Sequence, residues 1–173
     1  IVESTGDLVA FTDDDCIVDA GWLDTLAEAF RDPLTMAATG YIGPHELGHR
    51  AQLTFEVHMG FERYPEPRVF DPRWNSPLPA AAIAGAGANM VFRRTVFERI
   101  GLFAEDLGPG TPARSSDDKY AFYKVLAGGF RIRYDPRGVI WHRHRADDAS
   151  LRRIMEDYGV AEFAYTTRCL LEH

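Results

Sequence analysis

The stretch Leu8-Val9-Ala10-Phe11-Thr12-Asp13-Asp14-Asp15 decides how the chain is read. Four apolar residues with β-branched and aromatic content, punctuated by Gly6-Asp7, predict a buried strand over 8–11. Three consecutive carboxylates then follow. Adjacent anions repel, so the arrangement points to an outside cation that holds them together. All-oxygen ligands suit a hard metal, Mg²⁺ or Mn²⁺. In an extended chain residues i and i+2 share a face, which puts Asp13 and Asp15 together and turns Asp14 away. An EF-hand does not fit, because Ile17 and Val18 stand where its third oxygen ligand and its glycine belong. The plainer alternative is a solvated acidic turn that serves as a cap.

Working outward, the 173 residues, 46% hydrophobic and 26% charged, read as one globular domain over 1–170. A net charge of −7 offers no broad basic surface and argues against a nucleic-acid partner. No apolar run approaches the length a bilayer span requires. Cys16 and Cys169 lie far apart without metal-ligand spacing and read as reduced thiols. That predicts a cytoplasmic location, with peripheral attachment to the inner face of the membrane as the variant. Leu171-Glu172-His173 resembles the remnant of an expression tag.

After the carboxylates, Asp19 stands as a helix N-cap, and Leu23, Leu26, Ala27 and Phe30 recur at helical spacing over 20–31 until Pro33. A second buried strand is predicted over 37–42 and a weaker helical pattern over 45–60. A loop with five prolines covers 63–79, long enough to be functional in a compact domain. Small residues at 85–89 permit close backbone approach to a ligand, ahead of an apolar strand at 90–92. Helices follow at 95–100 and from 115 to the Gly128-Gly129 stop, then strands at 130–134 and 139–141, then a long helix over 148–171. Helices placed between strands predict a layered α/β sheet, with ligands beyond the strand C-termini.

Two further constellations carry chemistry. Asp117-Asp118 opens a helix, where carboxylates cap favourably, but an ionised carboxylate there can equally serve as a general base. In Trp141-His142-Arg143-His144-Arg145 the two histidines share one strand face; imidazole can complete a metal shell and Arg can hold a diphosphate bidentately. An exposed basic strand end is the competing reading.

In combination these segments resemble the family 2 glycosyltransferases of GT-A fold. The resemblance runs through Val9–Asp15, Gly21-Trp22-Leu23, Gly87-Ala88-Asn89-Met90-Val91-Phe92-Arg93-Arg94, Ile100-Gly101-Leu102-Phe103-Ala104-Glu105, Asp117-Asp118, Tyr134-Asp135-Pro136 and Val139-Ile140-Trp141-His142. Leu102 and Ala104 depart from the family's Gly-Gly-Phe-Asp-Glu turn, and Asp117 replaces its Glu. The resemblance implies a metal held by Asp13, Asp15 and His142. It implies a catalytic pair in which Asp118 deprotonates the acceptor and Asp117 supports it. Substrate contacts would come from Asp13, Gly87, Ala88, Asn89, Trp141 and Arg145. The implied reaction is inverting transfer of a sugar from a nucleotide-diphosphate donor to a hydroxyl on a carbohydrate, lipid-linked or other acceptor, with Mn²⁺ or Mg²⁺ as cofactor.

The resemblance covers about residues 6–145. The family's nucleotide-binding half, on the order of 60 residues, precedes that region. The expectation is therefore a GT-A-like mixed sheet flanked by helices and truncated at its N-terminus. Such a sheet has an exposed edge through which a homodimer can form. Two rival readings remain at this stage: a metal-dependent phosphohydrolase that uses the same carboxylates, and a non-catalytic binding domain whose acidic loop is only a cap.

Overall fold

A computed structural model describes residues 1–61 and 63–172. The apolar runs form six strands of one mixed sheet: β1 (Leu8–Phe11), β2 (Cys16–Val18), β3 (Thr35–Pro44), β4 (Arg68–Phe70), β5 (Met90–Arg93) and β6 (Arg131–His142). The helices are α1 (Trp22–Glu28), α2 (Arg50–Met59), α3 (Pro77–Ala82), α4 (Phe97–Ile100), α5 (Asp117–Ala127) and α6 (Asp148–Leu171), with 3₁₀ turns at Ala29–Arg31, Gly87–Asn89 and Arg94–Val96. Strands run in the order β1-β5-β3-β6-β2, and β4 pairs with the first half of β6 on the side that β2 takes later.

β3 and β6 form the only parallel pair among the described strands and occupy the centre. Being covered on both faces, β3 is apolar and small almost throughout, as a central strand must be. Alternation on neighbouring strands then sorts the two cores. Ala37, Phe92 and Ile132 face a layer built with Phe122, Leu126 and Tyr165; Ala38, Val91 and Ile140 face Trp22, Leu26 and Phe30.

Several boundaries differ from the sequence-based expectation for identifiable reasons. The strands predicted at 130–134 and 139–141 are one strand. Its pairing with β3 steps from Gly40–Asp135 to Tyr41–Val139, so residues 136–138 bulge out. Gly40 and Gly138 make that step possible: a Cβ on Gly40 would overlap the Gly138 carbonyl. Helix α1 is shorter than 20–31, because Asp19 closes a turn on Gly21 (N–H to Oδ1, 3.1 Å) before the helix begins. β2 and β4 are three residues each and exist by pairing with β6, which propensity alone does not reveal. The long helix falls at 148–171 as the periodicity indicates, with Asp147 Oδ1 accepting from the Ser150 N–H.

Of the residues read as a tag remnant, Leu171 ends α6, and Glu172 accepts hydrogen bonds from Tyr120 and Arg168. His173 lies outside the described residues. No described helix is long and apolar enough to cross a membrane.

Candidate active site

The three carboxylates are a turn and not the continuation of β1. The Cys16 N–H donates to the Asp13 carbonyl (3.2 Å), and the Asp15 carbonyl accepts from the Arg143 N–H (3.0 Å). Asp13 and Asp15 nevertheless converge. The cause is the antiparallel pairing of β2 with the end of β6, which sets Cys16 opposite His142. Nε2 of His142 lies 3.3 Å from Asp15 Oδ1 and 3.9 Å from Asp13 Oδ2, and Arg145 Nη2 lies 3.7 Å from Asp15 Oδ2. Asp14 stays exposed on the same cleft wall.

The electrostatics follow from crowding. Asp13 is pushed above the ordinary carboxylate range, first by burial and then by the charges of Asp15, Asp118 and Asp14, with His142 opposing. Burial lowers the His142 pKa against the pull of Asp15 and Asp13. One ligand atom from each of Asp13, Asp15, Cys16 and His142 can lie within 4.8 Å of the others. Burial and the charge of Asp13 push the Cys16 thiol up to about 11, so it stays protonated and is a poor donor. Two carboxylates and an imidazole remain, a set that fits Mn²⁺ or Mg²⁺ better than a soft metal.

Opposite this cluster stands the start of α5. Ser116 adopts φ 77°, left-handed for a non-glycine, and swings the chain into the helix so that Asp117 and Asp118 face the sheet. Asp118 both caps and bridges. Its Oδ1 accepts from the Lys119 N–H (2.7 Å), and its Oδ2 accepts from the Gly87 N–H (2.6 Å). Burial raises the Asp118 pKa and the charge of Asp117 adds to this, while the two amide bonds counteract it. A carboxylate tuned upward in a cleft is suited to take a proton near neutral pH.

Two adjoining clefts join these parts. One of about 680 Å³ is lined by Asp13, Asp14, Asp15, His142 and Arg145, and one of about 460 Å³ by Asp13, Gly87, Ala88, Asp117 and Asp118. Thr12, Asp13, His142 and Tyr158 belong to both. Tyr158 comes from α6 and reads from sequence as a packing residue. Here it lines both clefts, its phenol pushed up to about 12 by burial and then by Asp118, Asp13 and Asp15.

Two residues expected to touch substrate are placed differently. Asn89 is fully buried beneath the site. Its Oδ1 accepts from Trp22 Nε1 (2.8 Å), and its Nδ2 donates to the Tyr41 carbonyl (3.0 Å) and the Gly138 carbonyl (2.9 Å). Trp141 alternates with His142 along β6, so its ring lies on the other face, against Tyr41.

No family model matches the chain. Over 146 residues, 82% of its length, it is 27% identical to the pre-mycofactocin glycosyltransferase of Mycobacterium tuberculosis, in strains CDC 1551 and H37Rv alike. The chain spans 28% of the length of those curated relatives. Among solved structures it superposes on a mannosyltransferase from Pyrobaculum calidifontis in complex with GDP-Man and Mn²⁺. The TM-score is 0.60 at 21% identity, covering 96% of this chain and 41% of that one. It also superposes on GalNAc-T7 with UDP, GalNAc and Mn²⁺, with a TM-score of 0.54 at 15% identity, covering 84% and 29%. At these identities the structural likeness is one of fold, the GT-A-like mixed sheet flanked by helices. The chain thus shares its fold with glycosyltransferase structures and measurable sequence similarity with a curated glycosyltransferase.

Proposed function

We propose that this chain carries the metal- and acceptor-binding parts of an inverting, family 2 glycosyltransferase that moves a sugar from a nucleotide-diphosphate donor to a hydroxyl acceptor. The observation that carries the reading is the convergence of Asp13, Asp15 and His142 on one side of a shared cleft, with Asp118 on the other. The solved neighbours hold GDP-Man or UDP together with Mn²⁺, which favours a nucleotide donor and Mn²⁺ here.

In this reading Asp13, Asp15 and His142 hold the cation, and Arg145 lies within reach of the donor diphosphate. A bound divalent cation supplies charge stabilisation for the diphosphate as it leaves. Asp118 accepts the proton of the attacking hydroxyl, its carboxylate aimed by the Gly87 and Lys119 amides. Asp117 supports it by raising the proton affinity of Asp118. With Asp118 as the single base and no second carboxylate assigned as nucleophile, the reading implies a single displacement with inversion.

The test is a melting experiment with Mn²⁺, with and without GDP or UDP. A ligand at 100 times its dissociation constant stabilises by about 2.7 kcal/mol. For a chain of this size that raises Tm by about 5–11 °C, at about 2–4 °C per kcal/mol. Asp15→Asn should abolish the Mn²⁺ shift while changing the metal-free stability by less than about 1 kcal/mol. An Asp15→Asn chain stabilised by Mn²⁺ as fully as the wild type refutes the metal site. Release of phosphate from simple esters with no acceptor present would favour a phosphohydrolase instead.

A further inference from the structure

His144 has no part in the chemistry described so far, yet both of its ring nitrogens are engaged. It is 5% exposed, two residues beyond His142, with its ring centroid 4.5 Å from that of Phe55. Nε2 lies 2.5 Å from Glu56 Oε1, and Nδ1 lies 3.3 Å from Nδ1 of His142. Glu56 in turn accepts from Arg63 Nη1 (2.7 Å) and Nη2 (2.9 Å), and Arg63 Nε donates to the Ile42 carbonyl (2.6 Å). The row Arg63–Glu56–His144–His142 therefore runs from β3 and α2 to the edge of the acidic turn.

The direction of each hydrogen bond follows from the chemistry of its ends. Burial alone would raise the Glu56 pKa, but the hydrogen bonds from Arg63 and His144 and the charge of Arg63 hold it below the usual range. Glu56 is therefore a carboxylate, which can only accept. Nε2 of His144 then donates to Glu56, while Nε2 of His142 can ligate a cation only when bare, which puts the proton of that ring on Nδ1, facing Nδ1 of His144. In the metal-binding arrangement His142 therefore donates from Nδ1, and His144 accepts on its own bare Nδ1. That leaves Nε2 of His142, the nitrogen that faces Asp13 and Asp15, free to offer its lone pair. Phe61, 5.4 Å from His142 between ring centroids, and Phe55, 4.5 Å from His144, pack against the two rings of the row.

We infer that His144, held by Glu56 and Arg63, is a positioning residue that fixes the ring orientation and tautomer of His142 so that Nε2 is presented to a divalent cation. The inference rests on the metal reading proposed above. Groups that orient a ligating histidine in this way are typically worth about 10- to 100-fold in metal affinity.

The test titrates Mn²⁺ calorimetrically into the wild type and His144→Phe, His144→Asn, Glu56→Gln and His142→Ala, with melting temperatures measured alongside. The imidazole tautomers of the metal-free ¹⁵N-labelled chain are read by NMR. The expected result is a Mn²⁺ affinity about 10- to 100-fold weaker in His144→Phe. His144→Asn, whose amide oxygen falls near the position of Nδ1, should recover affinity toward the wild type. The spectrum should show His144 protonated on Nε2 and bare on Nδ1. A His144→Phe chain with wild-type affinity, or a His144 protonated on Nδ1, overturns the inference. So does a loss that His144→Asn shares in full, because that outcome marks a purely structural residue. If His144→Phe fails to fold, Glu56→Gln carries the affinity test. If wild type and His142→Ala bind Mn²⁺ equally, the metal reading itself fails, whereas the tautomer of His144 is still decided by the metal-free spectrum.

Discussion

Asn89→Ala should be among the most destabilising single changes near the site, although Asn89 touches no cleft. Its side chain ties together three elements distant in sequence: the indole of α1, the backbone of β3 at Tyr41 and the bulge of β6 at Gly138. Each of the three hydrogen bonds is worth about 0.5–1.5 kcal/mol net, and truncation leaves a buried indole N–H and two carbonyls that must find new partners. The total comes to roughly 3–5 kcal/mol. At about 2–4 °C per kcal/mol for a chain of this size, Tm should fall by about 6–20 °C. Asn89→Asp should be at least as damaging, because it keeps the acceptor for Trp22 but turns a second acceptor toward the two carbonyls. Trp22→Phe removes one bond only and should cost less, and the double variant should cost less than the sum of the two singles. Scanning calorimetry or circular dichroism reads all four. A fall of under about 2 °C for Asn89→Ala would refute the account of Asn89 as a structural tie.

Two further outcomes follow. Under the reading proposed above, Asp118→Asn should lower glycosyl transfer by about 10²- to 10⁴-fold while leaving the Mn²⁺-induced thermal shift intact. Because burial raises the Asp118 pKa, the wild-type rate should drop on the acid side at a pH above that of an ordinary carboxylate. An unchanged rate in Asp118→Asn, or an acid limb at the ordinary value, removes Asp118 as the base. Asp71 is held well below the usual carboxylate range, first by Arg73 and then by Arg131. A depressed folded value means that its stabilisation is present above the unfolded pKa and is lost as pH falls through the folded one. The Tm gap between wild type and Asp71→Asn should therefore be widest near neutral pH and close on acidification. A gap that is constant with pH would exclude this origin.

How far the sequence speaks for this structure depends on whether the cause is local. β1, the start of α5 and the whole of α6 can be read directly, because hydrophobic period, capping residues and glycine stops act within one element. The family resemblance anticipates the convergence of Asp13, Asp15 and His142, but strand geometry does not produce it. A strand alternation was expected, whereas a turn and the pairing of β2 with β6 produce the contact. Asn89, Glu56 and Tyr158 were beyond reach for a related reason. Asn89 stands in a small-residue segment that suggests ligand contact, and only the bulge at Gly138 turns it inward. Glu56 acquires its role from Arg63 and His144, and Tyr158 from the clefts on either side of it. Such partners are set by tertiary packing, which no single window of sequence records.

The placement of β2 against the end of β6 also bears on how the molecule is made. On a ribosome the acidic turn emerges before its partner at His142, which follows about 125 residues later, several seconds at about 5–20 residues per second. For the first part of that interval, until β5 follows about 80 residues behind it, Leu8–Phe11 is an apolar strand without its neighbour, the kind of segment that adheres to other nascent chains. Three negative charges at its end oppose such pairing, as charged residues flanking an aggregation-prone run commonly do. Asp14, which makes the least direct contribution to the finished cleft, adds its full charge to that protection. Neutralising Asp14 alone should therefore show itself in the soluble yield of newly made protein sooner than in any property of the folded one.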